Sequence, residues 1–213
     1  MRNGSPAGFD LRLLGLRLHE ERPGLRSQLK MVPDPRPGDK TFEEAGDTCL
    51  RAGVLVLLYP QEDGLYLVLT RRTGQVAHHQ DQISFPGGQM DEQESAVETA
   101  LREATEEIGL KPDEVQVLGE LTPLYIPPSN YCIYPVVAAA AGRPQFELSP
   151  HEVAEVIEIP IRHLLDPVSI KRERWSLRGT EATVPFYLFQ GHKIWGATAM
   201  VLAELLDLLL ASP

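Results

Sequence analysis

Residues 88–110 of the chain read GQMDEQESAVETALREATEEIGL. Apolar side chains recur in it at helical spacing, at Val97, Ala100, Leu101, Ala104 and Ile108. Residues three and four apart share one side of a helix, so the spacing predicts a helix over 91–108 with one buried face.

Both ends of this predicted helix carry capping signals. Asp91 can cap the first turn while Glu94 reaches back to it, an acidic variant of the capping box. Gly109 follows the last apolar position and is a plausible C-cap, because glycine adopts the left-handed conformation at little cost.

The other side of the helix is crowded with negative charge. Glu103, Glu106 and Glu107 stand at positions i, i+3 and i+4, so their carboxylates project from one side. Like charges at this spacing destabilise a helix by about 0.2–0.5 kcal/mol per pair, and Arg102 offsets only part of that. Two interpretations stay open at this point: a solvated charged face, or oxygen ligands for a divalent cation such as Mg²⁺.

Seven residues fit the pattern G-x5-E-x7-R-E-x-x-E-E-x-G: Gly88, Glu94, Arg102, Glu103, Glu106, Glu107 and Gly109. This pattern resembles the Nudix box, the signature of hydrolases that cleave nucleoside diphosphates linked to another moiety. One position departs from it, since Ala104 stands where the box prefers a bulky aliphatic residue. The departure concerns packing rather than chemistry.

The resemblance implies an α/β fold, a single domain whose mixed β-sheet is sandwiched between α-helices. It implies Mg²⁺ or Mn²⁺ as cofactor, held by Glu103, Glu106, Glu107 and the carbonyl oxygen of Gly88. It also implies that Glu94 and Arg102 keep the loop–helix–loop in shape through a salt bridge, with a simple surface pair as the alternative. For the catalytic base, Glu106 is the first choice and Glu152, in a loop outside the box, is the second.

A second signature lies just upstream of the box. Residues 69–88 are similar to the pattern L-L-T-x-R-S-x3-R-x3-G-x3-F-P-G-G of the coenzyme A pyrophosphatase subgroup. The residues that match in register are Leu69, Thr70, Arg72, Phe85, Pro86, Gly87 and Gly88. The residues that depart from it are Val68, Thr73, Ala77 and Asp81.

This second resemblance implies hydrolysis of coenzyme A to 3′,5′-ADP and 4′-phosphopantetheine. Arg72 is expected to bind the substrate, because a guanidinium can hold two phosphate oxygens at once. Arg71, His78 or His79 could supply the positive group that Ala77 lacks. The rivals are another Nudix substrate, such as ADP-ribose or a dinucleoside polyphosphate, and a Nudix-like module that binds a nucleotide without cleaving it.

Alternating and continuous apolar runs predict the elements around the helix. Strands at 52–59 and 65–70 are expected to form a hairpin, followed by a loop at 74–81. The remaining predictions are a strand at 82–85, a turn at 86–88, strands at 115–120, 132–139, 153–158 and 184–189, and a helix at 197–210. Residues 1–44 are interpreted as an extension containing a short amphipathic helix and a proline-rich linker, and 45–213 as the domain.

Composition limits the functional classes. The chain has 213 residues, 43% of them hydrophobic, which suits one globular domain with a modest extension. Thirty acidic and 20 basic residues give a formal charge of −10, which argues against binding to nucleic acid. The two cysteines suit a reducing compartment without excluding one disulfide, and the expected location is the cytoplasm, with no membrane association. The expected partner is a small nucleotide.

Overall fold

The computed structural model describes residues 9–20, 22–36, 38, 42–73 and 82–211. Its helices are α1 (Leu11–Leu18), α2 (Leu25–Gln28), α3 (Phe42–Ala45), α4 (Ala96–Ile108), α5 (Ile161–Leu165) and α6 (Gly196–Leu210). Its strands are β1 (Leu50–Gln61), β2 (Gly64–Arg72), β3 (Ile83–Ser84), β4 (Gly87–Gln89), β5 (Val115–Glu120), β6 (Leu124–Ile126), β7 (Tyr131–Ala140), β8 (Val153–Pro160), β9 (Ile170–Leu177), β10 (Thr180–Phe189) and β11 (His192–Trp195).

Eight of these strands form one mixed sheet. Its central order is β3-β2-β1-β7-β5, with β4 on β1, β6 on β7 and β8 on β2. The β1–β7 pair is parallel, and the other pairs are antiparallel. Strands β9, β10 and β11 form a separate three-stranded antiparallel sheet.

Alternate residues of β1 enter two different cores, as expected of a strand buried on both faces. Leu55 and Leu57 pack with Ala100 of α4 in one cluster. Val56 and Leu58 belong to a larger cluster that holds residues of α1, α6 and the second sheet. The predicted fold class, a mixed sheet sandwiched between helices, is therefore confirmed.

The N-terminal segment packs into the larger of these cores. Leu14 and Leu18 of α1 are buried there, as is Met31. The side chain of Gln28 donates to the buried carboxylate of Glu204 on α6 at 2.9 Å, which ties this segment to the last helix.

Most predicted elements are present, and two details of the prediction are wrong. The hairpin of β1 and β2, the later predicted strands and the C-terminal helix are all observed. The central helix begins at Ala96 rather than at Asp91, because Ser95 caps it instead. The turn expected at 86–88 is incorrect, since Gly87–Gln89 pairs with β1 as strand β4. Strands β6, β9 and β11 and the short helices α2, α3 and α5 were not predicted, and the loop expected at 74–81 lies outside the described residues.

The two cysteines are joined in a disulfide. Cys49, just before β1, is bonded to Cys132 on β7, with the Cα atoms 5.7 Å apart. Composition favoured reduced thiols and left this pairing open. Within the described ranges, no helix has sufficient length and apolar character to span a bilayer.

Candidate active site

Helix α4 is fixed at both ends by local hydrogen bonds. The Ser95 hydroxyl accepts from the backbone N–H of Glu98 at 3.2 Å, and the Glu98 carboxylate accepts from the backbone N–H of Ser95 at 2.8 Å. This reciprocal pair is a capping box, which satisfies donors that the first turn of a helix leaves free. Gly109 ends the helix in the left-handed conformation, with φ of 68°, as predicted.

Glycines let the helix approach the sheet closely. A Cβ atom added to Gly53 of β1 would lie 2.6 Å from the Ala96 carbonyl oxygen. A Cβ atom on Gly88 of β4 would overlap the carboxyl group of Glu103. The two glycines face each other across the β1–β4 pair, so together they seat α4 and hold Glu103 against the strand.

The guanidinium of Arg102 organises the acidic side of α4. Its Nε atom lies 2.7 Å from Glu94 Oε1, and its Nη2 atom lies 3.0 Å from Glu94 Oε2. Its Nη1 atom lies 2.7 Å from Glu103 Oε1 and 3.4 Å from Glu106 Oε2. Its Nη2 atom also donates to the Gln89 carbonyl oxygen at 3.3 Å, which links the helix to β4. One cation thus neutralises part of the charge that the spacing of the glutamates creates.

Glu107 is the buried member of the set. Its side chain is only 3% exposed, compared with 17% for Glu103 and 55% for Glu106. Glu107 Oε1 lies 3.3 Å from Arg72 Nη2, whereas Oε2 is buried and has no hydrogen-bond partner among the described residues. Burial raises the pKa of Glu107 from 4.5 to about 7, and the nearby charge of Arg72 opposes that rise.

The structure brings some of the predicted site residues together and separates others. Arg72 contacts Glu107 directly, and the charge of Glu152, in the loop before β8, is close enough to raise the pKa of Glu107 further. Arg71 instead pairs with Glu155 at 3.0 Å. The predicted His78 and His79 lie outside the described residues.

The donor set fits a divalent cation by its chemistry. Carboxylate and carbonyl oxygens are the ligands that Mg²⁺ and Mn²⁺ prefer, and the unpartnered Oε2 of Glu107 is a buried acceptor that a cation would satisfy. Across the residues that the structure describes, no three histidine, cysteine, aspartate or glutamate side chains are grouped so as to hold a metal. Glu103 and Glu107 are paired with arginines here.

Two contributions to the site were missed by sequence reasoning. The carbonyl of Gln89 as an acceptor for Arg102 has no signal in the sequence, because a backbone contact does not depend on the side chain. The cap at Ser95 did have a signal, since Ser95 and Glu98 are themselves spaced as a capping box.

One surface cavity lies away from the helix carboxylates. Its volume is about 730 Å³, and residues of α1, β5 and the end of β7 line it, without any of the helix glutamates.

Helix α4 carries the glutamates, packs on glycines of β1 and β4, and ends at a glycine cap. This arrangement is an acidic loop–helix–loop site in an α/β protein. Comparison with known proteins identifies the class to which it belongs. The family described as NUDIX domain matches residues 50–178, more than half of the chain, which therefore belongs to the Nudix family.

Curated relatives agree with this assignment. The chain is 35% identical over 183 residues to an uncharacterized Nudix hydrolase NudL of Photorhabdus laumondii, covering 84% of this chain and 92% of the relative. It is 34% identical over 186 residues to the NudL protein of Pectobacterium atrosepticum, covering 84% and 89% of the two chains.

Solved structures of low sequence identity also align with the chain. A MutT protein from Methanosarcina mazei aligns over 74% of this chain and 92% of its own, with 16% identity and a TM-score of 0.48. The NUDIX domain of Shewanella oneidensis NrtR, complexed with ADP ribose, aligns over 55% and 76%, with 21% identity and a TM-score of 0.43.

Proposed function

We propose that this Nudix protein hydrolyses the diphosphate linkage of coenzyme A or its derivatives, giving 3′,5′-ADP and 4′-phosphopantetheine. The observation that carries the proposal is the contact between Arg72 and Glu107. Arg72 belongs to the upstream signature of the coenzyme A subgroup, and Glu107 belongs to the box. The two patterns therefore meet at one point in space, although 35 positions separate these residues.

Within this proposal, Mg²⁺ or Mn²⁺ is held by Glu103, Glu106, Glu107 and the carbonyl oxygen of Gly88. When bound, the cation would neutralise phosphate charge and lower the pKa of a water molecule. The chain itself orients the glutamate side chains that would hold the cation. Arg102 fixes Glu103 and Glu106 relative to Glu94, and Gly88 leaves room for the Glu103 carboxylate.

Arg72 is the residue proposed to bind the diphosphate. Its side chain is 32% exposed, so the face of the guanidinium that does not contact Glu107 can meet a phosphate oxygen. Arg71 is equally exposed but is engaged by Glu155, and this makes it the weaker candidate. His78 and His79 stay as proposed sources of further positive charge.

Glu106 is the residue proposed to accept the proton of the attacking water. Its side chain is the most exposed of the three box glutamates, so water can reach it, and Arg102 holds one oxygen at 3.4 Å. Glu152 is the second candidate, because it is exposed in the loop beside Glu107. A positioned carboxylate base contributes about 10²–10⁴-fold to a rate.

A second substrate class follows from the departures at Ala77 and Asp81. A pocket that lacks the arginine of the coenzyme A pattern has less positive charge for the 3′-phosphate, which favours ADP-ribose or a dinucleoside polyphosphate as the alternative. A non-catalytic nucleotide-binding module is the less favoured alternative, because such modules usually lose box glutamates and this chain retains all of them.

A substrate panel tests the proposal. The purified protein is incubated with Mg²⁺ or Mn²⁺ and coenzyme A, ADP-ribose, NADH or diadenosine polyphosphates, and the products are separated by chromatography. We expect 3′,5′-ADP from coenzyme A and no turnover in EDTA, with recovery when metal is returned. Efficient cleavage of ADP-ribose with coenzyme A left intact would overturn the coenzyme A assignment, and full activity without metal would overturn the metal role.

The cytoplasm is proposed as the location on composition alone. A reducing compartment would keep Cys49 and Cys132 as thiols, whereas an oxidising one would preserve the disulfide seen in the structure. Trapping free thiols with an alkylating agent at the moment of cell lysis distinguishes the two. A chain recovered fully disulfide-bonded would contradict the proposed location.

A further inference from the structure

A row of side chains crosses three strands next to Gly88. Leu50 of β1 pairs with Tyr131 of β7, and Ala52 of β1 pairs with Gln89 of β4. Paired residues direct their side chains to the same face of a sheet, and residues two apart in a strand do so as well. These four residues therefore share one face, opposite the face on which α4 packs.

A side-chain hydrogen bond spans this row. The Tyr131 hydroxyl donates to Gln89 Oε1 at 3.1 Å, reaching from β7 across β1 to β4. Neighbouring strands lie about 4.8 Å apart, so the tyrosine side chain must extend over the small Ala52 to make this contact. Its ring is held in a defined orientation, half-buried against the sheet.

The outward groups of this row have no partners in the described part of the chain. No aromatic ring stacks on Tyr131 there, whereas Trp175 is already covered by Trp195 and Phe186. The amide nitrogen of Gln89 has no hydrogen-bond acceptor in the same set of residues. Leu50 is 45% exposed. A rigid ring, a free amide donor and an exposed apolar side chain are the groups that bind a planar heterocycle.

The row is also directly linked to the acidic site. Gln89 follows Gly88, and its carbonyl oxygen accepts from Arg102, which holds Glu103 at 2.7 Å. Among the described strands, β4 pairs with β1 alone, and side chains of α4 rather than a further strand contact its other edge. Because Gly88 and Gln89 are adjacent and face opposite sides of β4, a substrate with its diphosphate beside Gly88 has its base within reach of the Gln89 side.

We propose that Tyr131, Gln89 and Leu50 form the subsite that binds the nucleobase of the substrate, with the base stacked on the Tyr131 ring. This inference rests on the proposed function, since it assigns one end of a nucleotide diphosphate to a surface beside the acidic site. It assigns a specificity role to residues that are not among the fixed positions of the Nudix box.

Equilibrium binding without catalysis tests the subsite. The probes are AMP and ribose 5-phosphate, which differ by the base alone, titrated into the full-length protein in EDTA and followed by calorimetry. We expect the wild type to bind AMP at least tenfold more tightly. Stacking on an aromatic ring is worth about 1–3 kcal/mol per base, so Tyr131→Leu should lower this preference by about 5- to 150-fold.

Two further variants separate stacking from folding. Tyr131→Phe keeps the ring and loses only the bond to Gln89, so it should retain most of the preference for AMP. Tyr66→Phe is the matched control, because it loses a comparable bond to Asp63 at the far hairpin and should behave as the wild type. Melting temperatures within a few degrees of the wild type show that each variant is folded.

The outcomes distinguish the subsite from the proposed function. A wild type that binds AMP and ribose 5-phosphate equally, or a folded Tyr131→Leu variant with an unchanged preference, overturns the subsite even if diphosphates are cleaved. If the wild type cleaves no diphosphate, the proposed function fails, and the AMP preference still decides the subsite on its own.

Discussion

Arg72 Nη2 and Glu107 Oε1 lie 3.3 Å apart, and this contact joins the end of β2 to the last turn of α4. Glu107 is almost fully buried, so the arginine is the charge that compensates it most directly. Glu107 keeps its second carboxylate oxygen without a partner among the described residues. One oxygen of the Glu107 carboxylate therefore has a hydrogen-bond partner and the other has none. This arrangement suits a site that is completed by a ligand.

Replacing Arg72 with alanine should raise the KM for coenzyme A more than it lowers kcat. Hydrogen bonds to charged groups are worth about 1.5–3 kcal/mol, so the expected rise in KM is about 10- to 150-fold. Equal binding of substrate and transition state leaves kcat nearly unchanged. Steady-state kinetics and thermal unfolding are measured together on the same samples. A lower melting temperature with an unchanged KM would show that Arg72 serves only as the ion-pair partner of Glu107.

Arg71→Ala provides the comparison for that experiment. Both arginine side chains are 32% exposed, and each forms an ion pair with a glutamate. Because the partner of Arg71 is Glu155 rather than a helix carboxylate, its KM effect should be much smaller. An equal or larger rise in KM for Arg71→Ala would show that Arg71 also binds the substrate.

Gly88→Ala should abolish turnover while leaving the protein folded. The added methyl group would overlap the carboxyl group of Glu103, which must move away from β4 and from Arg102. Gly142→Ala is the matched control, since its added methyl group meets nothing within 4 Å. Turnover with coenzyme A and circular dichroism are the measurements. Near-normal turnover of Gly88→Ala would show that the position of Glu103 is unimportant.

The central helix and its hairpin were predictable because their signals are local. Val97, Ala104 and Ile108 repeat at helical spacing, and the residues of β1 and β2 form two apolar runs around a short turn. Such patterns depend on residues that are close in sequence, within about one or two helical turns. Strand β9 gives no such signal, because four successive residues from Lys171 to Arg174 are charged and exposed.

The contacts that organise the site could not be read from the sequence. Arg72 meets Glu107 only because β2 and α4 pack on one sheet, and Cys49 meets Cys132 only because β1 and β7 pair in parallel. The start of α4 shows the same limit. Asp91 and Ser95 are both acceptable caps by residue type, and the close approach of Ala96 to Gly53 favours Ser95.

A comparison of Glu106→Gln with Glu152→Gln tests which of the two residues is the catalytic base. The residue that accepts the proton of water should lose about 10²–10⁴-fold in kcat when its carboxylate becomes an amide. We expect this loss for Glu106→Gln and less than tenfold for Glu152→Gln. Glu92→Gln, an exposed residue of the loop before α4, controls for the change of one charge. The reverse order of effects would move the assignment to Glu152.

Reducing the disulfide should destabilise the protein without unfolding it. The bond joins residues 83 positions apart, and a crosslink of this kind typically contributes about 2–4 kcal/mol by restricting the unfolded chain. Adding a phosphine reductant should lower the melting temperature of the wild type to that of Cys49→Ser. The variant itself should not respond to the reductant. A wild-type melting temperature that is the same with and without reductant would contradict this expectation.

The metal-free protein should lose stability as the pH rises from about 5 to 8. Burial raises the pKa of Glu107 from 4.5 to about 7, so between these values the folded chain holds a proton that the unfolded chain has released. Stability falls wherever the folded state binds more protons than the unfolded state and the pH increases. Each pKa unit corresponds to about 1.4 kcal/mol, so the loss is about 3 kcal/mol, complete above pH 7 and absent below pH 4.5.

Glu107→Gln isolates this effect because glutamine is neutral throughout the range. In EDTA, its melting temperature should fall less between pH 5 and 8 than that of the wild type, and at pH 8 the variant should be the more stable protein. Glu92→Gln, which removes an exposed carboxylate, should keep the wild-type slope. Mg²⁺ at pH 8 should stabilise the wild type and not Glu107→Gln, since only the carboxylate is a strong ligand for the cation. Parallel pH profiles for the wild type and Glu107→Gln would show that Glu107 is already ionised at low pH in the folded protein.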